Sequence, residues 1–200
     1  DARWILEKEI NLLGIQALGL GLATYVHEIG VEPRIVTGHD FRGYSLSVKQ
    51  ALIIGLMQGG MEVLDVGLAL SPMAYFGQFE LKAPCVAMVT ASHNENGWTG
   101  VKMGANPPLT FGPDEIGRLK EIVLNGQGVE REGGKLVRVE DFRERYIADV
   151  AAKVKVSRPL KVVAACGNGT AGAFAPEALR RMGVEVIEMD TDLDFTFPKY

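Results

Sequence analysis

The chain has 200 residues, of which 47% are hydrophobic and 23% charged, with a formal net charge of −4. That length holds one large domain, or one domain and part of another, and the composition is that of an ordinary globular protein. A negative balance argues against nucleic acid or an anionic membrane as a partner, and an anionic substrate would need cations placed locally against the global charge.

The opening Asp1-Ala2-Arg3-Trp4 has no basic leader of a secretory type. Leu12, Leu13, Ala17, Leu20 and Val26 recur near helical spacing and predict a helix over 7–27. Gly14, Gly19, Gly21 and Gln16 break its apolar run, which falls short of the roughly 20 residues of a membrane span. The same glycines mean that packing, not propensity, must hold the helix. His27, at its end, reads as a solvent-exposed or dipole-compensating residue. A strand follows over 34–37, then a loop over 38–43. Ser45 or Ser47 is placed to cap a helix that the pair Gly59-Gly60 ends.

Further along, 61–67 reads as a strand and Ser71-Pro72 opens a helix. Residues 84–90 form an apolar strand, 91–100 a loop, and Val101-Lys102-Met103 resumes extended structure. A helix runs from Gly112-Pro113-Asp114 to Leu124, and the polar, glycine-rich 126–134 is a loop. Residues 141–153 read as a helix, 160–165 as a strand, Gly167-Asn168-Gly169 as a turn, 172–182 as a helix and 184–189 as a strand. This alternation predicts an α/β protein, a sheet covered by helices on both faces with right-handed crossovers. The boundaries fall at 1–140 for a first domain and 141–200 for the start of a second. One strand–helix–strand unit is small for a domain, and the second reads as cut short at Tyr200. Cys85 and Cys166 have apolar, strand-like surroundings and no metal or disulfide spacing. They read as buried free thiols, which suits a reducing, cytoplasmic compartment.

The informative stretch is Thr90-Ala91-Ser92-His93-Asn94-Glu95-Asn96-Gly97-Trp98-Thr99-Gly100-Val101-Lys102. Ser92 lies just past an apolar strand, where open α/β sheets gather ligands. Gly97 and Gly100 permit a tight turn, after which Lys102 can return beside Ser92. A serine, a lysine and backbone amides in one loop suit phosphoryl chemistry, with the serine oxygen carrying phosphate covalently and the lysine acting as acid or base. A serine hydrolase fits poorly without a Gly-x-Ser-x-Gly elbow, and a P-loop fails because no Gly-Lys-Ser/Thr follows.

Thr-Ala-Ser-His-Asn followed by Thr-Gly-x-Lys resembles the active-site loop of the α-D-phosphohexomutases. It departs from that pattern at Glu95, where the family has Pro, and at Thr99, where it has Asn. The resemblance implies that Ser92 carries the phosphate, that His93, Asn94 and Thr90 support the loop, and that Lys102 is the catalytic lysine. Gly38-His39-Asp40-Phe41-Arg42 resembles the family's Gly-x-Asp-x-Arg loop, which implies that Arg42 binds phosphate and that Asp40 holds the loop. His39 reads as structural. Val66 to Pro72 resembles a turn and helix start, and Val162 to Gly172 the opening of the second domain. Asp190, Asp192 and Asp194 could share one face, yet Phe195-Thr196-Phe197-Pro198 resembles the segment that precedes the family's metal loop. The metal ligands besides a phosphate on Ser92 are then expected beyond residue 200.

The fold implied is a three-layer α-β-α domain with a mixed sheet, lacking its first strand, followed by the start of a similar second domain. The activity implied is interconversion of hexose 1-phosphate and hexose 6-phosphate, of mannose or glucose, through phospho-Ser92 and a bisphosphate intermediate. Mg²⁺ and hexose 1,6-bisphosphate are the cofactors implied, a hexose phosphate is the partner, and the 200 residues alone are expected to be inactive. The alternative is a phosphosugar-binding module without catalysis. Only the enzyme needs a nucleophile.

Overall fold

The computed structural model describes residues 2–107 and 110–199. In chain order its elements are β1 (Ala2–Ile5), α1 (Leu12–Glu28), β2 (Arg34–His39), α2 (Ser45–Gln58), β3 (Glu62–Leu68), α3 (Ser71–Glu80), β4 (Cys85–Val89), β5 (Trp98–Ala105), α4 (Pro113–Leu124), β6 (Lys135–Arg138), α5 (Phe142–Lys153), β7 (Lys161–Ala165), a 3-10 turn (Thr170–Ala173), α6 (Ala175–Arg181) and β8 (Glu185–Met189). Six strands form a mixed sheet in the order β1-β5-β4-β2-β3-β6, and β7 and β8 form a separate parallel pair. β4, β2, β3 and β6 run parallel, while β5 is antiparallel to both β4 and β1.

The central strands explain the layers. β4 is buried along its whole length, as parallel strands covered on both faces must be. Its odd residues Cys85, Ala87 and Val89 join Ile35, Val101 and Met103 in a core with Ile15, Leu22, Leu52 and Leu56 from α1 and α2. Its even residues Val86 and Met88 join Val36, Leu64, Met73, Phe142 and Ile147 on the opposite face, under α3 and α5. The result is the expected α-β-α sandwich around a mixed sheet. Among the described residues no helix is long and apolar enough to cross a membrane.

The glycines of the first helix do more than weaken it. A Cβ on Gly55 of α2 would sit 1.9 Å from the Gln16 carbonyl oxygen, and one on Gly19 of α1 would sit 2.3 Å from the Leu52 oxygen. The two helix backbones therefore touch, and only glycine permits it.

Several local expectations are corrected. The first helix begins at Leu12, because the Asn11 side chain accepts from Gly14 N and caps it there. Ahead of it stands β1, a strand the sequence reading lacks, paired with β5 through Arg3 opposite Gly100. Neither Ser45 nor Ser47 caps α2; Tyr44 occupies that position, and the Ser45 hydroxyl turns instead to Asp40. β6 is a four-residue exposed edge strand, and Lys135 at its start pairs with Glu62 at 3.1 Å. The single helix expected over 172–182 is broken at Phe174, with Pro176 in the first turn of α6. The His27 ring is not simply solvated, since its Nε2 lies 3.1 Å from the Gly59 carbonyl. Cys85 is buried, which pushes its thiol up to about 12, whereas Cys166 is only half-buried.

Two outcomes follow from this packing. Gly55→Ala gains helix propensity of about 1 kcal/mol but drives a methyl into backbone, so denaturant titration should show a net loss of roughly 1–3 kcal/mol. His39, at the end of β2, has its pKa lowered from 6.5, first by burial and further by the nearby Lys49 charge, against the raising effect of Asp40. The unfolded chain then takes up this proton more readily than the native one, so the contribution is present above pH 6.5 and is lost as pH falls below it. His39→Asn should flatten the dependence of stability on pH in that range.

Candidate active site

β2 and β4 are parallel neighbours, with His39 opposite Val89. The loops that follow them therefore emerge side by side at the carboxyl edge of the sheet. The second loop is closed at its base, where Thr90 N donates to Gly100 O at 2.9 Å. Ser92 stands just above this closure in the left-handed region, at φ +56. Its N–H donates to the hydroxyl of Thr90 at 2.9 Å, and Asn94 N donates to Ala91 O at 3.1 Å. These short bonds offset the cost of a non-glycine residue at positive φ. They leave the Ser92 side chain exposed, with its Oγ 3.4 Å from His93 Nδ1.

Arg42 joins the two loops. Its Nη1 donates to Glu95 O at 3.0 Å, and its Nη2 to Ser92 O at 3.2 Å and Asn94 O at 2.6 Å. Nε faces Asp40 Oδ2 at 3.4 Å, and the residue is 8% exposed. Asp40 in turn accepts from the Ser45 hydroxyl and from Arg42 N. The planar fork of the guanidinium thus faces backbone carbonyls and one carboxylate, which makes it an organiser of the loop.

Two residues outside the sequence reading share this work. The Tyr44 hydroxyl donates to Trp98 O at 2.6 Å and accepts from Gly97 N at 2.9 Å, pinning the far side of the loop. Arg3 Nη1 donates to Asn94 Oδ1 at 2.7 Å, from β1. The sequence carried no signal for Arg3. Tyr44 carried none beyond its nearness to Arg42.

Lys102 lies on β5 opposite Met88, half-buried, and its ammonium makes no hydrogen bond or ion pair with the described residues. Beneath the loops, Lys49 of α2 is 1% exposed and pairs with Asp65 of β3 at 2.6 Å. Asp65 also accepts from Gly67 N at 2.9 Å, which satisfies a buried charge that would otherwise be costly.

The second α/β unit reaches the same edge. Phe41 N donates to Thr170 Oγ1, and Asn96 Nδ2 donates to Phe195 O at 3.0 Å. The Asp194 carboxyl is held below its usual range, first by the Thr196 hydroxyl and then by the Thr196 backbone N–H. Among the described residues no three His, Cys, Asp or Glu side chains are grouped to hold a metal, and that includes Asp190, Asp192 and Asp194. These residues do not by themselves fit a magnesium site.

The chain matches two family models. Phosphoglucomutase/phosphomannomutase, alpha/beta/alpha domain I, matches residues 1–129, and domain II of the same family matches residues 144–200. Curated relatives include "Probable phosphoglucosamine mutase" from Methanosphaera stadtmanae, 30% identical over 96% of this chain and 43% of its own length. "Phosphomannomutase/phosphoglucomutase" from Pseudomonas syringae pv. tomato is 31% identical over 84% of this chain and 36% of its own length. A crystal structure of a phosphoglucomutase/phosphomannomutase family protein from Burkholderia thailandensis superposes with a TM-score of 0.90 at 27% identity, covering 99% of this chain and 44% of that one. The chain therefore spans less than half the length of these relatives. With domain I matched across β1 to β5 and the loop that bears Ser92, this chain belongs to the phosphoglucomutase/phosphomannomutase family.

Proposed function

We infer that the chain is part of a phosphohexomutase in which Ser92 carries the phosphoryl group. The observation that supports this most is an exposed serine hydroxyl on a loop whose backbone is fixed by a buried arginine. In the forward half-reaction the bond from phosphorus to Ser92 Oγ breaks and a bond to the free hydroxyl of a hexose phosphate forms. The hydroxyl proton passes by way of Lys102 to Ser92 Oγ, and the product is a hexose 1,6-bisphosphate. The bisphosphate turns over, its other phosphate returns to Ser92, and the proton travels back to the oxygen that is released. Positioning supplies most of the rate in such transfers, which is what the Arg42, Asp40 and Thr90 network provides. His93 and Asn94 shape the loop around the hydroxyl. Mg²⁺, by analogy with the family, would neutralise phosphate charge; a phosphate on Ser92 would be one ligand, and the others would come from outside residues 1–200.

The domain reading is kept as 1–140 for the phosphoserine domain and 141–200 for the start of the next. Mannose and glucose phosphates are proposed as substrates, in a cytoplasmic setting in keeping with two free cysteines. Relatives named for glucosamine make that hexose the second reading. A full-length kinetic panel of the three hexose 1-phosphates should rank glucose or mannose first; a clear preference for glucosamine would favour the second reading. Residues 1–200 alone are proposed to be inactive, and robust turnover by them would contradict this.

The nucleophile is tested by intact mass. The full chain incubated with hexose 1,6-bisphosphate should gain one phosphate, and Ser92→Ala should gain none. Retention of the modification in Ser92→Ala would move the nucleophile to another residue, and no gain by the wild-type chain would leave a binding module.

A further inference from the structure

The loop that carries Ser92 is held by the Arg42 clamp, with Tyr44 and Arg3 beside it. A short segment of the second α/β unit, far away in sequence, lies against the clamp itself. The Phe197 ring centroid is 5.5 Å from the Arg42 Cζ, within cation–π range. The Phe195 ring packs on Gly43, where an added Cβ would meet its Cδ2 at 3.4 Å. Asn96, at the tip of the Ser92 loop, donates to Phe195 O at 3.0 Å. The segment's own shape is fixed: Asp194 Oδ1 accepts from both the N–H and the hydroxyl of Thr196, and Phe197 N donates to Asp194 O at 3.0 Å.

We propose that Phe197 is a positioning residue for Ser92, acting through Arg42, so that the geometry of the phosphorylatable hydroxyl depends on the seating of the second unit against the first. This rests on the reading of Ser92 given above. The physical reason is competition with water. Arg42 is nearly buried, yet among the described residues its only charged partner is Asp40, at 3.4 Å. Its other acceptors are the neutral carbonyls of Ser92, Asn94 and Glu95. Water that reached the guanidinium would compete for those N–H groups and loosen the three carbonyls. An aromatic ring against the cation excludes that water and adds its own attraction for the charge, neither of which an aliphatic side chain does as well. The backbone of Phe197 itself lies at φ +49, a conformation a large side chain keeps only when its surroundings require it.

The experiment uses the full chain. It measures the rate of phosphate incorporation at Ser92 from labelled hexose 1,6-bisphosphate, together with kcat and KM. Phe197→Met keeps apolar bulk and removes the ring; it should slow labelling and kcat by roughly 3- to 30-fold, with KM changed less than about two-fold. Phe197→Tyr keeps the ring and should retain most of both rates. Arg42→Lys combined with Phe197→Met should be no slower than Arg42→Lys alone, because both act on one contact. Labelling of Phe197→Met at the wild-type rate, equal losses in the Met and Tyr variants, or losses that multiply fully with Arg42→Lys would each overturn the proposal. Failure of the wild-type chain to label at all would instead remove the reading of Ser92, and this inference with it.

Discussion

One guanidinium organises the edge of this sheet. Arg42 donates to the carbonyls of Ser92, Asn94 and Glu95 and faces the carboxylate of Asp40. A loop that presents a hydroxyl to solvent cannot be held by burying that hydroxyl. It has to be held by its backbone, from behind, by a donor-rich group that is itself fixed. Arginine suits this because its fork offers five N–H donors in one rigid plane. Lysine, a point charge on a flexible stem, could not satisfy three carbonyls at set directions.

The clamp in turn depends on the layers below it. Arg42 belongs to the loop between β2 and α2, so its place follows from the β2–β4 register and from where α2 begins. α2 is set by its backbone contact with α1 at Gly55 and Gly19 and by the buried pair Lys49–Asp65, which ties it to β3. A buried pair of this kind adds little net stability, but either partner left alone would be a buried charge, so the pair fixes one arrangement of helix and strand. From the sheet outward the sequence of dependence is register, helix seating, Arg42, then Ser92.

Much of this was legible because the signals were long or chemically distinctive. The fully apolar 84–90 run, the alternation of strands and helices, and the Thr-Ala-Ser-His-Asn loop all announced themselves. What was not legible was decided by partners distant in sequence. β1 and β6 are each four residues long and owe their extension to β5 and β3 rather than to pattern. Ser45 has the composition of a helix cap, yet Asp40 competes for its hydroxyl and wins. Arg42 reads from its motif as a phosphate ligand, and no local feature reveals that it also donates to carbonyls some fifty residues on. The roles of Tyr44, Arg3 and the Phe195–Phe197 segment are of the same kind, since each is defined by a contact with the Ser92 loop.

The dependence of the hydroxyl on Arg42 can be measured directly. Arg42→Lys in the full chain keeps the charge and removes the fork. Its rate of phosphate uptake at Ser92 should fall roughly 100-fold, as a displacement near 1 Å does to a positioned group, while the melting temperature stays within a few degrees. Uptake at the wild-type rate by a folded Arg42→Lys protein would contradict the account.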